Sequence, residues 1–325
     1  MRRILRTAVK LLAGMLTCAL LAGIGIYREE PAELLPVERD IELNYLFRDI
    51  YIDGKLISNY ELHHPVYVSG DEFFVPTKWG EKTFSCDFPD AYGSTDPECI
   101  MYIDGVKVDY DDVFYVDNYP YMALSRLSKY KKDLSFIYDD ITGLYISNDP
   151  LRPAKDMVSE ENKLYITSLM AYMQKYAYKT ELDDETAFIY EFYFRHAAKR
   201  YDVDELLLLA ICQSESGFNK DLSKDKGPQG LMEIMDSSAA RLGYTVEQIR
   251  DVHTNIDCGA MYIHNYLVSY KGDMTKTLSA YNQGPGKVKS GEYSTTYAGV
   301  VSKRQKSIQR WLKDNSAPME IISEL

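Results

Sequence analysis

The pattern of apolar and polar residues divides the chain near residue 150. Before that point apolar and polar residues alternate, and the tetrapeptide Tyr-Ile-Asp-Gly occurs twice, at 51–54 and at 102–105. An Asp-Gly pair between two alternating runs predicts a β-hairpin with a two-residue turn. Because the same unit recurs, we expect an internal duplication. Residues 49–148 are therefore predicted to form strands, with one short helix at 125–130.

Beyond residue 150 the apolar residues recur at helical spacing. Phe188, Phe192 and Ala197 share one side of a predicted helix. The aromatic residues of this helix and the one before it, including Tyr172 and Tyr176, are interpreted as core, with a sugar-binding platform as the alternative. The predicted helices cover residues 158–178, 185–201, 206–216, 237–242, 255–271 (capped by Thr254), 274–283 and 301–313.

These two patterns predict an α+β chain in four parts. In order, the parts are a transmembrane signal anchor (1–28), a small β-rich domain with an internal duplication (29–150), a helical linker (151–183) and a mostly α-helical domain (184–325). At 325 residues the chain is long enough for about two folded domains. Hydrophobic residues make up 46% of it, which is enough for a core in each domain.

The predicted anchor is an uncharged apolar run that follows a basic flank. Arg2, Arg3 and Arg6 precede the run at 11–27, and Lys10 can extend its side chain to the membrane surface. The usable apolar length is about 20 residues, enough for one span. The basic flank places the N-terminus in the cytoplasm, which predicts a single-pass protein of the cell membrane with its later domains outside. A cleaved signal peptide is the alternative, but no Ala-x-Ala site follows.

Charge and cysteine content limit the partners and cofactors that we expect this chain to have. The formal net charge is −12, which argues against nucleic acid as a partner because such proteins carry basic surfaces. Cys86 and Cys99 could form a disulfide outside the cytoplasm, whereas Cys212 and Cys258 are expected to be buried thiols. No spacing of histidines and cysteines indicates a metal site, so we expect no cofactor.

One carboxylic acid lies just after a long apolar run. Residues 206–212 are all apolar, and Glu215 follows them. Asp202 is expected to cap this helix, with Glu205 reaching back to it, and Gly217 is expected to end it. Glu215 would then lie in the last turn of a buried helix.

That position favours the protonated form of the acid. Carbonyl groups at the helix end place partial negative charge beside the carboxyl group. Phe218, Met232 and Met235 are expected to exclude water from it. A carboxylic acid that stays neutral near pH 7 can donate a proton to a glycosidic oxygen. A glutamate at a helix end is more often a solvated surface charge, so the surrounding motifs decide between the two interpretations.

Four motifs occur in a fixed order around this acid. They are Glu215-Ser216-Gly217-Phe218, Gly227-Pro228-Gln229-Gly230-Leu231-Met232-Glu233, Ala280-Tyr281-Asn282-Gln283-Gly284-Pro285-Gly286, and Tyr297 ahead of the last predicted helix. Together they resemble the soluble lytic transglycosylase family over about residues 190–312. The resemblance implies a goose-type lysozyme-like fold for the helical domain.

The resemblance implies that Glu215 cleaves peptidoglycan glycan strands. As acid and then base, it would break the β-1,4 bond between N-acetylmuramic acid and N-acetylglucosamine and leave a 1,6-anhydro end. One carboxylate suffices, because the substrate's N-acetyl group replaces the second one that most glycosidases use. The expected substrate-binding residues are Ser216, Gly230, Met232, Glu233, Tyr281, Asn282 and Tyr297.

This chain departs from the family pattern at four positions. Glu233 replaces the family's glutamine, Asp236 its proline and Pro228 a small alanine, and Tyr293 stands where the family has a glutamate. If Glu233 served as a base for water, the reaction would be the hydrolysis of a lysozyme-like muramidase. A non-catalytic glycan-binding scaffold is a further alternative. A third is an accessory enzyme that opens the wall locally for a multiprotein assembly of the envelope, such as one for secretion, conjugation or sporulation.

The β-rich half resembles a different family. Its hairpins and the Val75-Pro76 step are similar to the copper amine oxidase N-terminal-like, or stalk, domain of Gram-positive surface proteins. Despite that name, we find no ligand set for copper here. The expected role is a spacer that holds the helical domain away from the membrane.

Overall fold

The computed structural model describes residues 42–57, 59, 62–77, 86–87, 102–103, 106–117, 119–222 and 227–315. The chain forms two compact units that divide between Val158 and Ser159. The first is rich in strands and the second is helical, so the prediction of an α+β chain is confirmed. The predicted anchor at 1–28 lies outside the described residues. Within the described ranges, no helix combines the length and apolar character that a membrane span needs.

In its described residues, the first unit forms three small sheets and one short α-helix. The sheet orders are β1-β4-β5-β10-β9, β11-β12-β2-β3 and β6-β7-β8. The elements are β1 (Asn44–Tyr45), β2 (Ile50–Ile52), β3 (Lys55–Ile57), β4 (Tyr67–Ser69), β5 (Glu72–Pro76), β6 (Cys86–Asp87), β7 (Tyr102–Ile103), β8 (Val106–Lys107), β9 (Val113–Val116), β10 (Tyr119–Ala123), α1 (Leu124–Tyr130), β11 (Ser135–Asp139) and β12 (Gly143–Ser147).

Both predicted hairpins are present. Strands β2 and β3 pair antiparallel around Asp53 and Gly54, whose φ angles of 49° and 80° are those of a two-residue hairpin turn. Strands β7 and β8 also pair antiparallel. A pairing that the pattern did not predict joins β12 to β2 in parallel, with Leu144 opposite Ile50. The chain passes so closely there that a Cβ on Gly143 would lie 2.1 Å from the Asp49 carbonyl oxygen.

Tyrosines contribute to the interior of this unit. Tyr121 is 1% exposed and donates its hydroxyl hydrogen to the Pro65 carbonyl oxygen at 3.0 Å. Tyr145 is buried and stacks on Tyr51 with 4.6 Å between ring centroids. Their interpretation as strand and core residues is confirmed. Cys99 lies outside the described residues, so its disulfide with Cys86 stays a prediction.

The second unit contains eight helices within the part of the chain that the structure describes. Most lie where the apolar spacing predicts them. The helices are α2 (Glu160–Tyr176), α3 (Asp184–Tyr201), α4 (Glu205–Glu215), α5 (Asp236–Arg241), α6 (Val252–Ser269), α7 (Met274–Gln283), α8 (Pro285–Ser290) and α9 (Thr296–Asp314). Helix α8 was not predicted, because its Gly-Pro-Gly opening indicated only a stop.

Two predicted caps are wrong by a few residues. Asp202 adopts a left-handed conformation, with φ of 51°, and ends α3. The cap of α4 is instead Asp204, whose carboxylate accepts from the Leu207 N–H at 2.7 Å. The cap of α6 is Asp251, which accepts from the N–H of Thr254 at 2.9 Å. In both cases the aspartate closest to the apolar run is the residue that satisfies the free amides.

Glu205 belongs to a buried ionic cluster and does not cap its helix. It is buried, and it accepts from the Tyr165 hydroxyl at 2.9 Å. Arg195 Nε donates to the buried Glu191 at 2.8 Å. Burial, and then the charge of Glu191, raise the pKa of Glu205 to about 8. The cluster therefore holds two acids against one guanidinium, and a proton on Glu205 relieves the imbalance.

This cluster predicts a stability that depends on pH. Glu205 binds its proton more tightly in the folded chain, with a pKa of about 8, than in the unfolded chain, where 4.5 is ordinary. Its contribution is fully present below pH 4.5 and is lost as the pH rises to about 8. We expect the free energy of unfolding to fall in this window by at most about 1.4 kcal/mol per pH unit.

Glu205→Gln tests this prediction. The substitution should flatten the slope when the free energy of unfolding is measured by urea titration at several pH values. Glu185→Gln, at an exposed position on α3, is the matched control and should leave the slope unchanged. An equal slope in the parent and in Glu205→Gln would contradict the assignment.

Candidate active site

Glu215 is the last residue of a helix whose interior is fully apolar. Residues 206–212 are at most 1% exposed, so α4 is the central helix of its unit. The Glu215 side chain is partly buried at the end of this helix. Burial is the main cause that raises the pKa of Glu215 above its ordinary value. The acid is therefore biased towards its protonated form, as the sequence predicted.

Two side chains of α9 act in the opposite direction on the same acid. The Tyr297 hydroxyl donates to Glu215 Oε1, and the Arg304 guanidinium lies near enough for its charge to act. Each partly offsets the effect of burial on the pKa of Glu215, the tyrosine more strongly. Both groups stabilise the carboxylate form. Burial thus favours the neutral acid, while these two groups stabilise the anion that remains after the proton has left.

Tyr297 lies in the first turn of α9, which begins at Thr296. The prediction that it precedes the last helix, at 301–313, is wrong. The new start places Tyr297 and Arg304 two helical turns apart on one face, because residues seven apart share a face. That spacing is visible in the sequence, and it is the signal that could have identified Arg304.

Arg304 also fixes the end of the acid's own helix. Its Nη1 donates to the Gln213 carbonyl oxygen, one of the last carbonyl groups of α4. The Gln213 side-chain oxygen accepts from the Tyr172 hydroxyl at 3.0 Å. Residues from α2 and α9 therefore hold the backbone immediately before Glu215.

Ser216 connects the first motif to the second. It is 1% exposed, and its hydroxyl donates to the Leu231 carbonyl oxygen at 2.8 Å. Ser216 is predicted to bind the substrate. The structure differs, because the hydroxyl is already used inside the domain. Ser216 supports Glu215 by fixing the turn that follows the helix.

Asn255 organises the loop of the second motif, and sequence reasoning missed it. Its Oδ1 accepts from the Met232 N–H at 2.7 Å. Its Nδ2 donates to the carbonyl oxygens of Gln229 and Ile249, each at 2.8 Å. The asparagine is fully buried on α6. One side chain thus bonds to two buried backbone groups of this loop and to one of the short turn before α6.

Two expected substrate contacts in this loop face the protein interior. A Cβ on Gly230, whose φ is 70°, would lie 2.5 Å from Asn255 Nδ2. Only glycine fits beside the Asn255 side chain here, which is a different role from the predicted contact with the substrate. The Met232 side chain is fully buried and packs against Gly259. Met232 is therefore a core residue, although it is predicted to contact the substrate.

Tyr281 reaches the same loop from α7. Its hydroxyl donates to the Met232 carbonyl oxygen at 2.8 Å. Burial, and then the nearby charge of Glu215, raise the pKa of Tyr281 well above its usual value. Tyr281 is predicted to bind the substrate, but its hydroxyl bonds to the protein backbone, and the hydroxyl bound to the acid is that of Tyr297. Tyr281 therefore joins the third motif to the second one beside the acid.

The remaining predicted residues differ in exposure. Asn282 is exposed on α7. Glu233 is partly buried and adopts a φ of 47°, in the left-handed region. Phe218 is fully buried, as expected of a residue that excludes water, whereas Met235 is 49% exposed. Asn282, Glu233 and Tyr281 are therefore the predicted binding residues, besides Tyr297, that retain some solvent access.

Other reactive groups of the described ranges lie elsewhere or are inert. Cys212 and Cys258 are free thiols, and burial is the main cause that raises the pKa of each to about 12. Such thiols are neutral near pH 7 and react slowly. Within the same ranges, no three histidine, cysteine or acidic side chains are grouped so that they could hold a metal ion.

The geometry defines a helical domain with a single-acid site. A carboxylic acid with a raised pKa, held by a tyrosine hydroxyl at a helix end, can serve as a general acid and then as a base. Residues 192–298 match the family model described as the transglycosylase SLT domain. The second unit therefore contains a domain of this family, with Glu215 inside the matched segment.

Relatives share this segment at about one-third identity. Membrane-bound lytic murein transglycosylase C of Edwardsiella ictaluri is 33% identical over 121 residues, which cover 32% of this chain and 34% of that protein. A transglycosylase of Enterobacteria phage PRD1 is 33% identical over 107 residues, which cover 33% and 39%. The chain thus spans between 34% and 39% of the length of these relatives.

A solved structure gives a weaker match. An inactive mutant of the lytic transglycosylase Slt from Pseudomonas aeruginosa has 19% sequence identity and a TM-score of 0.32. The match covers 52% of this chain and 34% of that one.

Proposed function

We propose that this protein is a lytic transglycosylase that cleaves the glycan strands of peptidoglycan. The observation that carries the proposal is the Glu215 carboxyl group, which has a raised pKa and accepts from the Tyr297 hydroxyl within the segment that matches the SLT domain. The names of the relatives support the same substrate. A lysozyme-like arrangement of the second unit belongs to this proposal.

The reaction needs one carboxyl group in two roles. Glu215 first gives its proton to the oxygen between N-acetylmuramic acid and N-acetylglucosamine, and the bond from that oxygen to C1 breaks. Positive charge develops on the muramic acid ring, where the sugar's own N-acetyl group shields it. The Glu215 carboxylate then takes the proton of the C6 hydroxyl, whose oxygen bonds to C1. The products are a free N-acetylglucosamine hydroxyl and a 1,6-anhydro end, with no water consumed.

The surrounding residues have separate tasks in this mechanism. Tyr297 and Arg304 stabilise the Glu215 carboxylate between the two proton transfers. Asn282 and Glu233 are proposed to contact the substrate, because they retain solvent access. Ser216, Gly230, Met232 and Tyr281 support the site from within the domain.

We also propose how the chain is placed in the cell. Several relatives are named membrane-bound, which agrees with an anchor at 1–28. The proposed arrangement has residues 29–150 as a stalk, 151–183 as a helical linker and 184–325 as the catalytic domain on the wall side. Contact with other envelope proteins remains compatible with this placement. Crosslinking to membrane partners in intact cells would test it.

Product analysis tests the reaction type. Peptidoglycan digested with the purified protein should yield fragments with 1,6-anhydromuramic acid ends, which are lighter by one water than reducing ends in mass spectrometry. Reducing ends alone would favour the muramidase alternative. In that case Glu233→Gln should restore anhydro products if Glu233 activates water. No cleavage by the parent chain, together with retained glycan binding, would favour the scaffold.

Tyr297→Phe is expected to change the pH dependence as well as the rate. Glu215 must be protonated to act as an acid, so activity falls as the pH rises through its pKa. The hydroxyl that Tyr297 donates lowers this pKa, and its removal should shift the alkaline limb to higher pH. The rate at the optimum should fall about ten-fold, because the acid loses its fixed orientation.

A pH profile of initial rates measures both effects in one experiment. Tyr293→Phe, on the loop before α9, is the matched control and should keep the parent profile. A slower Tyr297→Phe enzyme whose alkaline limb has not moved would show that the hydroxyl has no influence on the ionisation of Glu215.

A further inference from the structure

Residues 175–179 form a short aromatic and basic segment at the end of α2. The sequence is Lys-Tyr-Ala-Tyr-Lys. Tyr176 is 39% exposed and Tyr178 is 55% exposed, and both lysines are exposed. Tyr172, one turn earlier, is buried as predicted. The expectation that Tyr176 also belongs to the core is therefore wrong, because its ring retains access to solvent.

The Tyr178 end of this segment is hydrogen-bonded to the turn that follows α4, the helix that ends at Glu215. The Tyr178 N–H donates to the Gly217 carbonyl oxygen at 2.9 Å. Asn219 Nδ2 donates to the Tyr178 carbonyl oxygen at 3.3 Å. Contact is so close that a Cβ on Gly217, whose φ is 61°, would lie 2.5 Å from the Tyr178 Cβ. Tyr178 is thus fixed by its backbone beside the residue two positions after Glu215.

The other end of the segment contacts α9. Lys175 Nζ lies 4.6 Å from the centre of the Trp311 ring and 5.6 Å from that of Tyr176. The two rings are 6.5 Å apart, edge to face. Trp311 follows Arg304 by seven residues, as Arg304 follows Tyr297, so the three share one face of α9. At a rise of about 1.5 Å per residue, about 21 Å of α9 separate Trp311 from Tyr297, which bonds to the acid.

We propose that residues 175–179, together with Trp311, form a binding surface for the glycan strand that extends beyond the catalytic acid. We call it the KYAYK surface. The inference deepens the proposed function and rests on it for the identity of the substrate. The surface lies outside the segment that matches the SLT domain, which covers residues 192–298.

The chemistry of the KYAYK surface fits a peptidoglycan strand. The C–H faces of sugar rings pack on exposed aromatic rings, whose faces are electron-rich. The strand also carries carboxylates on its muramic acid and stem-peptide groups. The two lysines can attract these carboxylates. They place positive charge at this surface in a chain whose formal net charge is −12. Lys179 Nζ lies 5.0 Å above the Tyr178 ring, so each exposed tyrosine has a lysine beside it.

Binding can be measured without cleavage. The full chain with Glu215→Gln is incubated with insoluble purified peptidoglycan, and the free protein is quantified after sedimentation. Adding Tyr176→Ala and Tyr178→Ala should weaken the apparent Kd about ten-fold. Tyr270→Ala, at the end of α6, is the matched control and should bind like the parent. Tyr178 is held by backbone groups, so Tyr178→Ala alone should keep the parent's thermal unfolding midpoint. Tyr176 packs on Tyr172, with 4.5 Å between ring centroids, so the double variant is compared with the parent at a temperature where both are folded.

The lysines are tested on two forms of the polymer. Lys175→Gln with Lys179→Gln should weaken binding at low salt about three-fold and reduce its dependence on salt. On glycan from which an amidase has removed the stem peptides, the lysine effect should shrink while the tyrosine effect persists. Lys287→Gln with Lys289→Gln, on exposed positions of α8, is the control of equal charge.

The outcomes separate this inference from the proposed function. If the tyrosine double variant binds as tightly as the parent, or if only the lysines matter, the KYAYK surface is not a sugar site, whatever the enzyme does. If that variant loses binding while the parent chain cleaves nothing, the surface stands and the proposed reaction fails. With both correct, the double variant of the active chain should show a raised KM for the polymer and a nearly unchanged kcat.

Discussion

Glu215→Gln is expected to reduce peptidoglycan cleavage by at least about 1,000-fold, because one group serves as both acid and base. The amide has nearly the same shape and keeps an oxygen that can accept from the Tyr297 hydroxyl. It can neither release a proton to the glycosidic oxygen nor take one from the C6 hydroxyl. The release of soluble muropeptides from purified wall measures the loss.

The same substitution should not damage the fold. The pKa of Glu215 is raised in the folded chain, so its ionisation costs stability as the pH rises above the ordinary value. Removing the charge should leave the variant at least as stable as the parent near neutral pH. Glu292→Gln, at an exposed position before α9, is the control for activity. Undiminished cleavage by Glu215→Gln would remove the basis of the proposed mechanism.

Asn255→Ala is expected to lower the free energy of unfolding by about 3 kcal/mol, since three buried backbone groups each lose a hydrogen bond, although the Gln229 carbonyl oxygen still accepts from the Ile234 N–H. These groups are the Met232 N–H and the carbonyl oxygens of Gln229 and Ile249. Denaturant titration followed by circular dichroism measures the change. Activity should also fall, because the loop that Tyr281 contacts loses its support.

A surface asparagine provides the comparison for this variant. Asn282→Ala, on the exposed side of α7, should change stability by no more than about 0.5 kcal/mol. A loss below about 1 kcal/mol in Asn255→Ala would mean that water or a shifted loop replaces the asparagine. It would also mean that the second motif holds its shape without α6.

Local patterns predicted the elements well, because local residues determine them. The Asp53-Gly54 turn and the helix at 274–283 follow from a few neighbouring side chains. The parallel pairing of β12 with β2 does not, since it joins residues about 90 apart and leaves no periodic trace. Helix α8 was missed because Pro285 both ends one helix and can begin the next.

The position of the acid could be predicted from the sequence, but the groups that its neighbouring residues contact could not. Glu215 was identified by an apolar run and a helix stop, which are local signals. Gly230 and Ser216 were assigned to the substrate, although a glycine can equally serve a close internal contact and a serine an internal hydrogen bond. Gly230 lies against Asn255, and Ser216 donates to the Leu231 carbonyl oxygen. No rule of sequence spacing predicts either contact.

The bond between Tyr297 and Glu215 also has a consequence for synthesis. It joins residues 82 apart, and its donor lies in the last helix that the structure describes. A nascent chain that has emerged only as far as α7 carries the acid without its tyrosine and without Arg304. If the proposed chemistry holds, the cutting activity appears only after α9 has been synthesised, so a polypeptide that stops before this helix poses little danger to the wall of its own cell.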